Sequence, residues 1–342
     1  MKFYSTLIKG FKIIVLITLG LFINKCAEDK VLSPKPETGV HGYVVNKMFS
    51  KGIPNASIRF GHYIFQTDSS GYFQLNEEFL KADSSLTNLI IEHFPHKSKV
   101  ESINNYSIDL PADTVYLELS NGMKRYAKIL QEALDINYEI TSVIDWFRSI
   151  EQLKNERIVI MRHDVDHDAI TAKAMGYIEH QLGVKSTFYF RWLTAEMGPV
   201  DYLKNLGHEV GLHYETIATY CRVKNITEKE DVTPEIIDIC RDLLKAEIYL
   251  FESIYGDIYS ICSHGHELNR LLSIPNIVLM KDQNPKDFYV ETWANSDELR
   301  KVPEIFVADS GNKWDPFSFG EAMERGFETI YVLIHPIWWS DN

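Results

Sequence analysis

Cysteine is scarce: Cys26, Cys221, Cys240 and Cys262 are the only four in 342 residues. No two of them stand in a CxxC spacing, so neither a disulfide framework nor a thiolate metal knuckle is available. One pair among Cys221, Cys240 and Cys262 is the most that an oxidising compartment could join. Positive charge is also short, with 35 Lys and Arg against 48 Asp and Glu and a formal net charge of -13. Such a chain has little with which to neutralise phosphates, which excludes nucleic acid as a partner. Long apolar runs are missing as well. Residues 13–23 are eleven uncharged positions, of signal-peptide length and too short to span a bilayer comfortably. What remains is ordinary. Apolar content of 45% and charged content of 24% are those of a globular chain, and the length predicts two domains or one large domain with an appendage.

Lys2, Lys9 and Lys12 precede the apolar run and Cys26 follows it. This arrangement resembles the signal of a bacterial lipoprotein, with residues 1–25 as signal peptide and Cys26 as the lipid acceptor, although Lys25 stands where a small residue is usual. Ala27, Glu28 and Asp29 resemble the acidic surface-export tag of Bacteroidetes lipoproteins. The resemblance implies export and a lipid anchor in the cell envelope, at the outer membrane or cell surface. Residues 26–37 are polar and contain proline, and read as a tether.

From 38 to 120 the pattern is short alternating strands with turn punctuation at Gly52-Ile-Pro-Asn55 and Asp68-Ser-Ser-Gly71, which predicts an all-β sandwich. Gly42-Tyr-Val44, Gly52-Ile-Pro-Asn-Ala-Ser-Ile58 and Thr67-Asp-Ser-Ser-Gly-Tyr-Phe73 resemble the carboxypeptidase-regulatory-like, transthyretin-type domain. No constellation in it looks catalytic, and a spacer or adhesion role is expected; His93 and His96 read as strand-end surface residues.

Helical periodicity begins at Asn121-Gly122, and residues 121–342 alternate short apolar strands with helix-length segments. The expected strands are 157–161, 186–190, 208–212, 259–262, 277–280, 305–308 and 329–334. Alternation of this kind predicts an α/β fold with a parallel sheet closed into a distorted seven-stranded barrel. In such folds chemistry collects at the carboxyl ends of the strands. Those ends carry Asp164 and Asp166, then His213, then His264 and His266, then Asp309, then His335. Histidine is a poor helix cap, so capping does not account for the set. His and Asp together suit zinc or a similar divalent ion.

Arg162-His-Asp-Val-Asp166, Leu182-Gly-Val-Lys-Ser-Thr-Phe-Tyr-Phe190, Gly207-His-Glu-Val-Gly-Leu-His213 and Leu333-Ile-His335 resemble the polysaccharide deacetylase (NodB-homology, carbohydrate esterase family 4) barrel. The resemblance implies a metal-dependent hydrolase removing acetyl groups from an acetylated glycan. It assigns Asp164 as base, Asp166 and His213 as metal ligands, His335 as acid and Asp309 as the residue orienting a catalytic partner. The second metal histidine of that family lies four residues beyond the first, where this chain has Ile217. His264 is the expected replacement, with His266 or His167 as substitutes, and zinc the expected ion. Arg162, Tyr214, His266, Trp314 and Trp338 are expected to contact substrate, the tryptophans offering planes for a sugar ring. His208 reads as structural. Two other readings use the same residues: a carbohydrate-binding or scaffold lipoprotein whose barrel has lost activity, and a deacylase acting on a non-sugar amide.

Overall fold

A computed structural model describes residues 39–76, 78–79, 88–103, 113–150 and 157–340. The expected signal peptide, Cys26 and the tether lie outside the described residues. The described residues divide into two compact units, those within 39–45, 52–91 and 99–115 forming one, and those within 46–51, 92–98 and 116–340 the other.

The N-terminal strands are β1 (Gly39–Asn46), β2 (Lys51–Gly52), β3 (Ser57–Phe60), β4 (Tyr63–Gln66), β5 (Tyr72–Asn76), β6 (Asn88–Glu92), β7 (Lys99–Ser102) and β8 (Asp113–Leu117). They make two four-stranded sheets, β2-β1-β5 with β8 on β1, and β4-β3-β6-β7. Alternate residues such as Ile58 and Phe60, Phe73 and Leu75, and Leu89 and Ile91 are buried, the period-2 signature of a strand with one face on a core. Gly71 turns at φ +82°, and a side chain there would meet the Val44 carbonyl at 2.5 Å. The position therefore requires glycine.

In the second unit the chain runs α1 (Asn121–Asp135), β9 (Glu139–Thr141), α2 (Val143–Ser149), β10 (Ile158–Val165), α3 (Ala169–Leu182), β11 (Thr187–Phe190), α4 (Met197–Asn205), β12 (Glu209–Tyr214), α5 (Thr216–Lys224) and α6 (Pro234–Tyr255). It continues through β13 (Ser260–Ser263), α7 (Glu267–Leu272), β14 (Thr292–Trp293), α8 (Asp297–Lys301), β15 (Ile305–Ala308), α9 (Phe319–Glu324) and β16 (Thr329–Ile334). The sheet order is β14-β13-β12-β11-β10-β16-β15, parallel at every join. Seven strands curl into a half-barrel that stays open between β14 and β15. Arg162 and Tyr331 reach the carbonyl of Ala294, just past β14, from the inner face. A further short strand, β9, pairs with the first half of β10; its three residues gave no run long enough to read from sequence.

One expected strand is corrected. Ile277–Met280 is not extended: Asn276–Leu279 forms a 3-10 turn, and the strand at this point of the sheet is β14. An apolar run of four cannot be told from a helical turn by periodicity. Here the Asn276 side chain fixes the turn, accepting from the Ile217 amide at 3.1 Å and donating to the His264 carbonyl at 2.8 Å.

The period of two sorts each strand into faces. On β10, Val159, Met161 and Val165 join the large core under the helices, and Ile158 and Ile160 pack with Val143, Trp146, Leu299 and Tyr331. Arg162 and Asp164 continue the second series, pointing inward. His163 points the other way, to a buried cluster where Glu179 holds its Nε2 at 2.7 Å and Ser186 Oγ at 2.6 Å. His208 belongs to the same cluster, with Nδ1 3.3 Å from Glu179 and Nε2 3.0 Å from the Gly176 carbonyl. A buried carboxylate ringed by donors in this way ties α3 to the sheet. α3 stops where Gly183 takes the left-handed conformation at φ 76°, which costs glycine nothing.

Candidate metal centre and catalytic residues

Because the strands are parallel, their carboxyl ends share one rim, and inward-facing residues there converge. β10 brings Asp164 and, one step beyond its end, Asp166. β12 brings His213, and the turn after β13 brings His264, whose amide continues the ladder by donating to the Tyr214 carbonyl at 2.8 Å. Asp166 Oδ1 lies 3.2 Å from His213 Nε2 and 3.5 Å from His264 Nε2. Two ligands about 2.0–2.1 Å from a tetrahedral ion stand roughly 3.3 Å apart. The two edges to Asp166 therefore already have about the length such an ion needs, and all three atoms lie within 4.8 Å of one another. Asp166 Oδ1 is also a buried oxygen with no hydrogen-bond partner among the described residues, and such an atom is costly to leave bare. These residues fit a divalent cation.

Outer contacts fix both imidazoles. His213 Nδ1 donates to the Cys262 carbonyl at 3.2 Å. His264 Nδ1 donates to Glu215 Oε2 at 3.0 Å. Each therefore turns Nε2 toward Asp166, the nitrogen left to meet a metal; burial would lower the His213 pKa, but Asp164, Cys262 and Asp166 raise it. Arg191 closes a frame behind them, donating to Glu215 at 2.9 Å and to the Asp166 carbonyl at 3.1 Å. Burial pushes the Glu215 carboxyl up, but its bonds to His264 and Arg191 outweigh that and hold it at about 2. Burial lowers the His264 pKa, against the Glu215 bond and the Asp166 charge, which raise it. Asp166 is raised by burial and lowered further by His213, His264 and His335, ending well below the usual carboxylate range.

Neither Glu215 nor Arg191 was singled out by the sequence reading, although each follows a strand directly, the signal that marked the histidines. Glu215→Ala is expected to weaken divalent-ion binding roughly 10–100-fold, the usual cost of losing an outer contact, with Glu215→Gln recovering part of it. Titration of metal-stripped protein with cobalt checks this. Equal affinities in Glu215→Ala and the parent would show that Glu215 does not hold the ligand.

On the far side of Asp166, His335 brings Nε2 to 3.8 Å from Asp166 Oδ2. Its Nδ1 meets Asp309 Oδ1 at 2.7 Å, and Asp309 also accepts from the His335 amide at 2.9 Å and Trp339 Nε1 at 3.1 Å. Burial alone would lower the His335 pKa; the Asp309 bond and the charges of Asp164, Asp309 and Asp166 raise it. Beside the pair, Arg125, Asp309, Asn312, Trp314, Trp338 and Trp339 line a cavity of about 130 Å³.

Two expected substrate contacts lie elsewhere, while a third, His266, stays near the rim with its ring 6.3 Å from that of His264. Tyr214 is fully buried: the residue next to an inward-facing His213 must face the helices, and it joins their core. Arg162 is 4% exposed and sits under Asp164, donating to its Oδ2 at 3.2 Å and to Tyr331 Oη at 3.1 Å, so it positions a carboxylate and cannot reach a sugar. His266 caps α7, its Nδ1 accepting from the Leu268 amide at 3.0 Å. His167 is exposed, Ile217 is wholly buried, and Cys221, Cys240 and Cys262 are buried free thiols.

No protein-family model matches the sequence, and no curated protein matches it either. Among solved structures the chain is similar to one described as a mutant of a CE4 family pseudoenzyme with restored enzymatic activity. The match has 14% identity and a TM-score of 0.31, over 54% of this chain and 58% of that one. The chain thus spans 58% of the length of that structure.

Proposed function

We propose that the barrel is a metal-dependent hydrolase that removes acetyl groups from a carbohydrate. The observation that carries this reading is the unpartnered, buried Asp166 Oδ1, with two histidine nitrogens within 3.5 Å of it. The oriented His335–Asp309 pair stands across the same carboxylate. Asp166, His213 and His264 would hold the ion, with zinc the best match to two imidazoles and a carboxylate. When bound, it supplies Lewis-acid polarisation of an acyl carbonyl.

The chain's own residues divide the proton transfers. Asp164, fixed by Arg162 at 3.2 Å, accepts a proton from the attacking water. His335 keeps its Nδ1–H on Asp309 and gives the Nε2 proton to the departing sugar amine or hydroxyl. The raised pKa of His335 favours the protonated form that an acid needs. Trp314 and Trp338 offer planes for the sugar beside that acid. Acetate release from acetylated sugar oligomers should therefore track bound metal when stripped protein is reloaded with zinc, cobalt or nickel. A purified protein that holds no metal and gains no activity from any of the three would leave the rim as a sugar-binding surface.

The same reading extends to the N-terminus, where we propose export, lipid anchoring at Cys26 and a carboxypeptidase-regulatory-like spacer over residues 38–120. The apolar run ending beside Cys26 supports it, and each acyl CH₂ would add about 0.8 kcal/mol of membrane affinity. Cys26→Ala is expected to move the protein from the membrane fraction to the soluble one. Unchanged partitioning of that variant rules the anchor out.

A further inference from the structure

Beneath the three outer ligands lies a second set of donors. His213 and Cys262 are direct neighbours across β12 and β13, both on the inner face, with Asp164 of β10 opposite. His213 Nε2 is 3.5 Å from Asp164 Oδ2, and Cys262 Sγ is 3.9 Å from each Asp164 oxygen. All three are buried: Asp164 is 4% exposed, His213 2% and Cys262 not at all. Their ligand atoms lie within 4.8 Å of one another. For a tetrahedral ion with bonds of about 2.3 Å to sulfur and about 2.0 Å to oxygen and nitrogen, the edges are roughly 3.3–3.6 Å. Closing onto an ion thus asks only small side-chain shifts. As a hydrogen bond the Cys262–Asp164 contact is a weak one, since a thiol is a poor donor.

We propose that Asp164, His213 and Cys262 form an inner site for a thiophilic divalent cation, exclusive with the outer site. His213 makes the two exclusive. Its Nδ1 is committed to the Cys262 carbonyl at 3.2 Å, so one nitrogen remains, within reach of both Asp166 and Asp164. On binding, Cys262 releases its thiol proton to solvent as the metal–sulfur bond forms. The thiolate and the Asp164 carboxylate then face the two charges of the ion and that of Arg162, 3.2 Å from Asp164, with Asp166 beside His213 as the third anion. The donor sets select different ions: oxygen and two imidazoles outside, sulfur, oxygen and imidazole inside, the latter favouring cadmium over cobalt. If Asp164 is the base of the proposed deacetylase, an ion held inside takes both the base and, through His213, the outer ion's ligand, so cadmium inhibits on both counts. That consequence rests on the functional reading; the site itself does not.

The test is spectroscopic. Metal-stripped full-length protein titrated with cadmium should develop a thiolate-to-cadmium charge-transfer absorption that saturates at about one ion per chain. Cys262→Ser should lose it, whereas a chain carrying Cys221→Ser and Cys240→Ser together should keep it. Asp166→Asn, which removes the outer carboxylate but leaves the thiol, should also keep it, and this arm stands even if Cys262→Ser does not fold. Cobalt loaded first should leave one for one as cadmium enters. Absence of the absorption in the parent protein, or its persistence in Cys262→Ser, overturns the inner site. Cobalt and cadmium held together at His213 overturn the exclusivity. None of these readings uses acetate release, so a protein inert toward acetylated sugars could still confirm the site, and an active one could refute it.

Discussion

His264→Ala is expected to empty the metal centre. With His264 gone, Asp166 and His213 are left as two protein ligands, and catalytic zinc sites generally hold their ion with three. His264 is bound into the frame by Glu215 at 3.0 Å and presents Nε2 at 3.5 Å from Asp166; among the described residues no other histidine takes that corner. His266 spends its Nδ1 on capping α7, and His167 is exposed beyond the rim. Affinity for cobalt, which the inner thiolate set does not favour, should fall by more than the roughly 10–100-fold that an outer contact carries, and acetate release should fall with it. Elemental analysis of the purified variant checks the first outcome directly. Full metal retention in His264→Ala would mean that the third ligand lies elsewhere. His266→Ala is the matched control and should keep its ion, losing at most a helix cap.

His335→Ala should separate chemistry from metal binding. Its imidazole stands 3.8 Å from Asp166 Oδ2, outside the ligand set, and is aimed by two bonds to Asp309. Removing it should leave the ion in place and lower turnover on the order of 10²–10⁴-fold, the range for a lost general acid. Asp309→Asn should cost less, since the ring loses its charged partner but not its proton. Metal content and kcat measured on the same preparation distinguish the outcomes. Loss of the ion from His335→Ala would move His335 into the ligand set, and unchanged turnover would remove it from the mechanism.

Much of the barrel is local in origin. The β-branched run before Arg162, the break at Asn121, and Gly183 after a fourteen-residue helix are each set by neighbours in sequence, and each reads directly. The strand ends are legible for the same reason, because parallel strands of one sheet deliver their carboxyl ends to one side. Ile277–Met280 failed because four apolar residues suit a strand or a helical turn equally, and Asn276 decided between them through bonds to Ile217 and His264, which are remote in sequence.

The site divides along the same line. Composition and the strand-end pattern determined that Asp164, Asp166, His213, His264 and His335 share a rim. Period two determined that His213 and Tyr214 face opposite ways, but only helix packing fixed which of them faces inward. The absence of a histidine at Ile217 could be read, and the remedy could only be guessed. Ile217 is sealed in the core, while the pairing of His213 with Cys262 and of Tyr214 with Ser263 carries His264 to the rim beside Asp166. Tertiary structure alone decided this, as it decided the roles of Glu215, Arg191 and Cys262. Ligands converge through strand adjacency and register, and long-range pairing sets both.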